Sequence, residues 1–158
     1  MCRGFTLIEL VLVIVIAAII GSIGARILSG GFSAYLTGKD LMEVQWQGNL
    51  ALERLGRDLR NIRSATVADL TIAPANAISF TTTDGGVVSY TLNGNTLQRN
   101  SDALADDITN LAFTYLANDG QTTATSANEV YYIIVTLNTS SQNINQTIST
   151  VIHPRNFL

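Results

Sequence analysis

Glu9 is the residue out of place in this 158-residue chain. It stands at the head of an apolar run: 18 of the 24 residues from Phe5 to Leu28 are apolar, and Leu10 to Ala25 reads LVLVIVIAAIIGSIGA with Ser22 as its one polar side chain. As a helix, the stretch is long enough to cross a hydrocarbon core of about 30 Å. An ionised carboxylate inside such a span costs about 2.5–3.5 kcal/mol or more, so an intramembrane acid is by default a functional residue in need of a cation. Arg3 is the one basic side chain nearby. Three readings follow. The segment is a plain anchor with Glu9 reaching the near interface. Or it is a secretory signal with small residues before Ala25. Or the chain is cut between Gly4 and Phe5, which frees an α-amine four residues before Glu9. In that case Glu9 of one chain could meet the Phe5 amine of a neighbour offset by a small axial step. Two costly charges would then neutralise each other only on assembly.

The second candidate is a run of arginines, Arg54, Arg57, Arg60 and Arg63, in ALERLGRDLRNIRSA. Steps of three make a broad basic stripe on a helix. It reads either as a solvated face supporting ion pairs or as a subunit contact meeting a neighbour's acids. The second use has a counterpart, because residues 64–158 carry two basic side chains, Arg99 and Arg155, against seven acids. That balance argues against a nucleic-acid partner, which needs clustered Lys and Arg. His153 beside Pro154 reads as an edge residue, with no second His to share a metal. Asp102, Asp106, Asp107 and Asp119 lack calcium-loop spacing and read as turn or capping residues. No nucleophile-elbow, phosphate-loop or dinucleotide motif occurs, so neither an enzyme nor a cofactor is expected. Cys2 is the single cysteine, which excludes an intrachain disulfide.

The string Gly4-Phe5-Thr6-Leu7-Ile8-Glu9-Leu10 resembles the processing site of type IV prepilins and type II secretion pseudopilins. The resemblance implies that a prepilin peptidase cuts after Gly4 and N-methylates Phe5. Cys2 and Arg3 would leave with a four-residue leader, 1–4. It implies a single-pass inner-membrane protein with its globular domain in the periplasm, later joining other pilins or pseudopilins in a pilus or pseudopilus. Glu9 would pair with a neighbour's N-terminus, and minor members of such families initiate or cap the filament. The arginine segment, the strand pattern and the terminal Pro154-Arg155-Asn156 also resemble the J-type pseudopilins and their minor-pilin counterparts. An alternative role is a pilus-tip adhesive or substrate-recruiting module.

These residues need elements to hold them. Leu41, Val44, Leu52, Leu55, Leu59 and Ile62 keep the 3.6-residue period beyond the apolar run. One helix is therefore expected from Phe5 to about Arg63. Its span 5–28 would lie in membrane or filament core, and an amphipathic continuation, 29–65, against the domain. Gly30-Gly31 is its weak point, at about 1 kcal/mol per glycine relative to alanine. From residue 77 the period falls to two. Ile78-x-Phe80, Val88-x-Tyr90-x-Leu92 and Leu97-x-Arg99, broken at Asp84-Gly85-Gly86 and Asn93-Gly94-Asn95, predict a three-strand meander. Leu111-x-Phe113-x-Tyr115, a polar loop from Asn118 to Asn128, Val130–Leu137 as a central strand and Ile144–Ile152 complete the domain 66–158. The expected class is α+β: a pilin fold with one long helix packed on an antiparallel sheet.

Overall fold

A computed structural model of the chain describes residues 6–72, 76–141 and 144–157. Helix α1 runs from Leu7 to Leu59 and stays helical through Gly30-Gly31. The chain divides into two compact units at Lys39–Asp40. In the first, α1 is the only described element, and its apolar side chains are exposed. The helix was expected to reach Arg63 but stops four residues earlier. Asn61 and Ile62 donate to the carbonyls of Asp58 and Leu59 (3.0 and 3.3 Å), tightening the last turn to three-residue spacing. Ile62 then bridges to Thr82, and the Arg63 amide donates to the Thr81 carbonyl at 2.9 Å. A strand end takes the backbone groups that another helical turn would have used, and Ile62 is fully buried by it.

The second unit packs α1 against antiparallel sheets, an α+β, pilin-like architecture. Two sheets stand where a single one was expected. The first has five strands in sequence order, β1 (Leu70–Thr71), β2 (Ala77–Thr81), β3 (Val87–Asn93), β4 (Thr96–Arg99) and β5 (Asp102–Ala105). The second has β6 (Ile108–Leu116), β7 (Tyr132–Ser141) and β8 (Ile144–Ile152), with β7 in the centre. The meander thus has two strands more than its sequence suggested. The Gly85 and Gly94 turns are left-handed there (φ 85° and 60°), as the hairpins require. The extra β4–β5 hairpin turns on Asn100 and Ser101 (φ 52° and 74°), a pair without glycine. The Asn100 side chain accepts from the Ser89 amide at 2.8 Å, which helps hold the turn.

The buried stripe of α1 is Val44, Gly48, Ala51, Leu55 and Leu59, continued by Ile62. Leu41, expected on it, is 39% exposed, and Leu52 is only partly buried. At Gly48 helix and sheet approach closely. A Cβ there would lie 2.6 Å from Ile148 Cδ1 and 3.3 Å from Thr139 Cγ2. Behind the stripe, Ile78, Phe80, Tyr90 and Leu97 of the first sheet join Leu111, Ile133, Val135 and Leu137 of the second in one apolar cluster.

One carboxylate sits on that stripe. Asp58, 8% exposed, accepts from the Tyr90 hydroxyl at 2.8 Å and from Arg99 Nε at 2.6 Å, both on the same oxygen. Arg54 stands 3.6 Å from that oxygen, one turn back. Burial, and then the bond to Asp58, hold the Tyr90 phenol far above its ordinary range. Tyr115 is the contrast, since its buried hydroxyl has no hydrogen-bond partner among the described residues. Losing a hydrogen bond to a charged group costs about 1.5–3 kcal/mol, whereas removing an unpaired buried hydroxyl is close to neutral. Tyr90→Phe should therefore lower unfolding stability by about 2 kcal/mol, and Tyr115→Phe should leave it unchanged or raise it. Chemical denaturation of the detergent-solubilised full chain checks both, and equal losses would remove the distinction.

Candidate functional site

Gly4 and Phe5, the expected processing residues, lie outside the described residues. Glu9 lies in the first turn of α1 and is exposed. Its amide donates to the Thr6 hydroxyl oxygen at 3.4 Å, and the Leu10 amide donates to the Thr6 carbonyl at 3.2 Å. Thr6 thus occupies the capping position of the helix, with Glu9 three residues on. That is the Thr-x-x-Glu pattern of a capping box, legible in the sequence although the expectation passed over it. The helix dipole also favours a carboxylate in the first turn. No other charged residue occurs between Glu9 and Arg26.

The surface after Glu9 is apolar on every side. Among the described residues, fourteen large apolar side chains between Leu7 and Leu28 are exposed, among them Leu7, Ile8, Ile20, Ile27 and Leu28 at 65% or more. Burying each would gain about 1.5–3 kcal/mol, so in water the segment carries a penalty of tens of kcal/mol. Its length and composition suffice to cross a membrane.

The four arginines of the stripe do different things. Arg63, beyond the end of α1, grips the buried Asp69 with two nitrogens, Nε at 3.0 Å and Nη2 against the other oxygen. Ser64 adds a third donor to Asp69 at 2.5 Å. Arg54 faces Asp58. Arg57 pairs with Glu53 at 2.8 Å, with both side chains more than 60% exposed. Arg60 is exposed and forms no ion pair among the described residues, and its carbonyl accepts from the Arg155 amide at 3.2 Å. Two of the four are therefore committed within the domain, and two face outward. The sequence reading missed Asp58, Tyr90 and Arg99 as a unit. Its signal was an acid three residues from Leu55 and next to Leu59, on the apolar side of the helix.

The remaining candidates have structural partners. Asp119 accepts from the Gln121 and Thr122 amides at 2.9 and 2.8 Å, and Asp106 accepts from the Thr96 hydroxyl at 2.8 Å. His153 is exposed, with Nδ1 at 2.8 Å from the Tyr131 carbonyl and its ring stacked on Tyr131 at 4.3 Å. The 118–128 loop is not a free appendage, because Ala124 and Ala127 are buried in the core. Glu129 ties its end down by accepting from the Thr125 and Ser126 amides.

Hydrogen bonds from Arg63, and then from Ser64, hold the Asp69 carboxyl below its ordinary range. A lowered folded value means that this stabilisation is full above the unfolded carboxyl range near pH 4 and fades as pH falls through it. Asp69→Asn should therefore lower stability at pH 7 and flatten the acid side of the stability–pH curve. Thermal unfolding of wild type and variant between pH 3 and pH 7 measures this (~3–7 brackets the carboxyl titration). Parallel curves would exclude the role.

Residues 1–25 match the family described as the prokaryotic N-terminal methylation motif. The match takes in Gly4, Phe5 and Glu9 and ends at Ala25, and it supports a type IV pilin-like N-terminus. No curated protein matches the chain.

Proposed function

We propose that this chain is a minor pilin or pseudopilin, a structural and not a catalytic protein. A prepilin peptidase removes residues 1–4 and N-methylates Phe5. The α1 segment holds the protein in the inner membrane until it joins other pilins in a pilus or a type II secretion pseudopilus. One observation carries the reading. The methylation motif coincides with the start of α1, where the apolar side chains from Leu7 to Leu28 are exposed among the described residues and the one acid, Glu9, lies in the first turn. Lipid and then neighbouring helices would supply the cover, and a neighbour's Phe5 amine the cation for Glu9. Because Glu9 already has a local place in the first turn, the unassembled helix can form before the partner arrives.

A binding role for the sheet domain, adhesive or substrate-recruiting, is the second reading. The exposed His153, stacked on Tyr131 beside Tyr132 at 5.4 Å, favours it as a ready aromatic surface.

Mass spectrometry of the membrane-extracted protein should find an N-methylated N-terminus at Phe5. A start at Met1 or near Ala25 would sink the proposal. Glu9→Ala should leave cleavage intact and reduce recovery of the chain in sheared filaments by tenfold or more (~1.4 kcal/mol or greater per subunit). Unchanged recovery would refute the pairing.

A further inference from the structure

We propose that the groove between α1 and β8 receives the acidic β5 segment, residues 102–107, of a second copy of this chain. The proposal deepens the subunit reading above and rests on it. The groove has a volume of about 550 Å³ and is lined by Leu52, Glu53, Gly56, Arg57, Arg60, Thr150 and Ile152, among others. That is room for a short extended segment. Gly56 keeps its floor low, since a Cβ there would already touch Ile152 Cδ1 at 3.7 Å.

Charge selects the occupant. Arg60 and Arg155 are joined through their backbones at the end of β8, and neither forms an ion pair among the described residues. Arg57 beside them pairs with the exposed Glu53, which also lines the groove, so Arg60 and Arg155 carry its uncompensated charge among the described residues. Asp102 and Asp106 are exposed on the other sheet, with Asp107 partly so. The domain therefore carries a basic groove and an acidic segment at different places. Basic groove on basic groove would repel, so a symmetric pairing is disfavoured and groove on acidic segment is favoured.

Strand geometry points the same way. β8 and β5 are outer strands of their sheets. An outer strand offers unpaired amides and carbonyls, and proteins usually blunt it with Lys, Pro or a bulge. The nine residues of β8 contain no proline and no charge, and β8 pairs in unbroken register with β7. A contact between two different patches is head-to-tail, and repeated it propagates into an open assembly. At least two copies of this chain would then stand next to each other in the assembly.

The test uses the full chain in its own membrane, with Cys2→Ser in every copy. One tagged copy carries Thr150→Cys in the groove and a second, differently tagged copy carries Ala103→Cys in β5. Mild oxidation should give a mixed disulfide dimer that neither single variant forms with itself. Arg60→Glu with Arg155→Glu in the groove copy should cut the yield about tenfold, the loss that ~1.4 kcal/mol of contact energy produces. Asp102→Lys with Asp106→Lys in the partner copy should restore it, which a misfolded groove variant would not allow. Absence of the dimer, a yield insensitive to charge reversal, or cross-linking of Thr150→Cys only to another protein would each overturn the proposal. Sheared filaments from the same cells separate it from the reading beneath it. Incorporation without the cross-link sinks the contact alone, and the cross-link without incorporation sinks the filament reading.

Discussion

An apolar helix surface, exposed among the described residues, is the constraint on which everything else here depends. From Leu7 to Leu28 the large exposed side chains are Leu, Ile and Val on every side, with one carboxylate at the start and Arg26 near the end. Water cannot be their working solvent at a penalty of tens of kcal/mol. Two environments relieve it, hydrocarbon and other helices of the same kind. They differ in what they offer Glu9. A bilayer core offers an acid nothing, whereas the neighbouring N-terminus of the proposed assembly would offer a cation at matching depth. A subunit stored in lipid and drawn into an assembly by that charge satisfies both demands with the same residues.

From Asp40 onward α1 obeys a different rule, a single buried stripe with small residues at a point of close approach. Gly48 lets the backbone approach Ile148 and Thr139 more closely than any side chain would allow. The stripe also carries Asp58, which gathers Tyr90 from β3 and Arg99 from β4. Desolvating a carboxylate is costly unless its hydrogen bonds are made inside. Asp58 is therefore a poor general stabiliser and a good register pin, because helix and strands must meet in one alignment to satisfy it. Asp69 does the same at the helix exit, where Arg63 and Ser64 hold the chain as it leaves α1 for β1.

The helix and most strands were legible because they are written in periods. The 3.6-residue stripe, the two-residue alternation of β3, β6 and β8, and the Asp-Gly and Asn-Gly turns are local signals. What was not legible depended on partners distant in sequence. The helix end at Leu59 is decided by Thr81 and Thr82, some twenty residues on. β5 was hidden because its hairpin turns on Asn100-Ser101 and its own four residues, Asp-Ala-Leu-Ala, carry little strand character. Two sheets replaced one because the break at Asp106-Asp107 looks like any polar turn, although Asp107 is left-handed there (φ 60°) and redirects the chain. The N-terminal motif was the most legible feature of all, since its chemistry needs only seven consecutive residues.

The arginine stripe shows why spacing alone did not assign the charges. Four guanidinium groups at steps of three look equivalent in sequence. The fold divides them by where the chain leaves the helix. Arg63 falls past the last turn and is drawn to Asp69, and Arg54 faces the buried Asp58. Arg57 and Arg60 stay on the outer side, joined by Arg155 from the far end of the chain. A basic surface assembled from residues a hundred positions apart has no sequence signature, yet it is the part of the domain whose charge is left to answer to something outside. The acidic excess of residues 64–158 is the nearest source of that answer. A domain that separates its two signs onto different patches is better suited to joining copies head to tail than to standing alone.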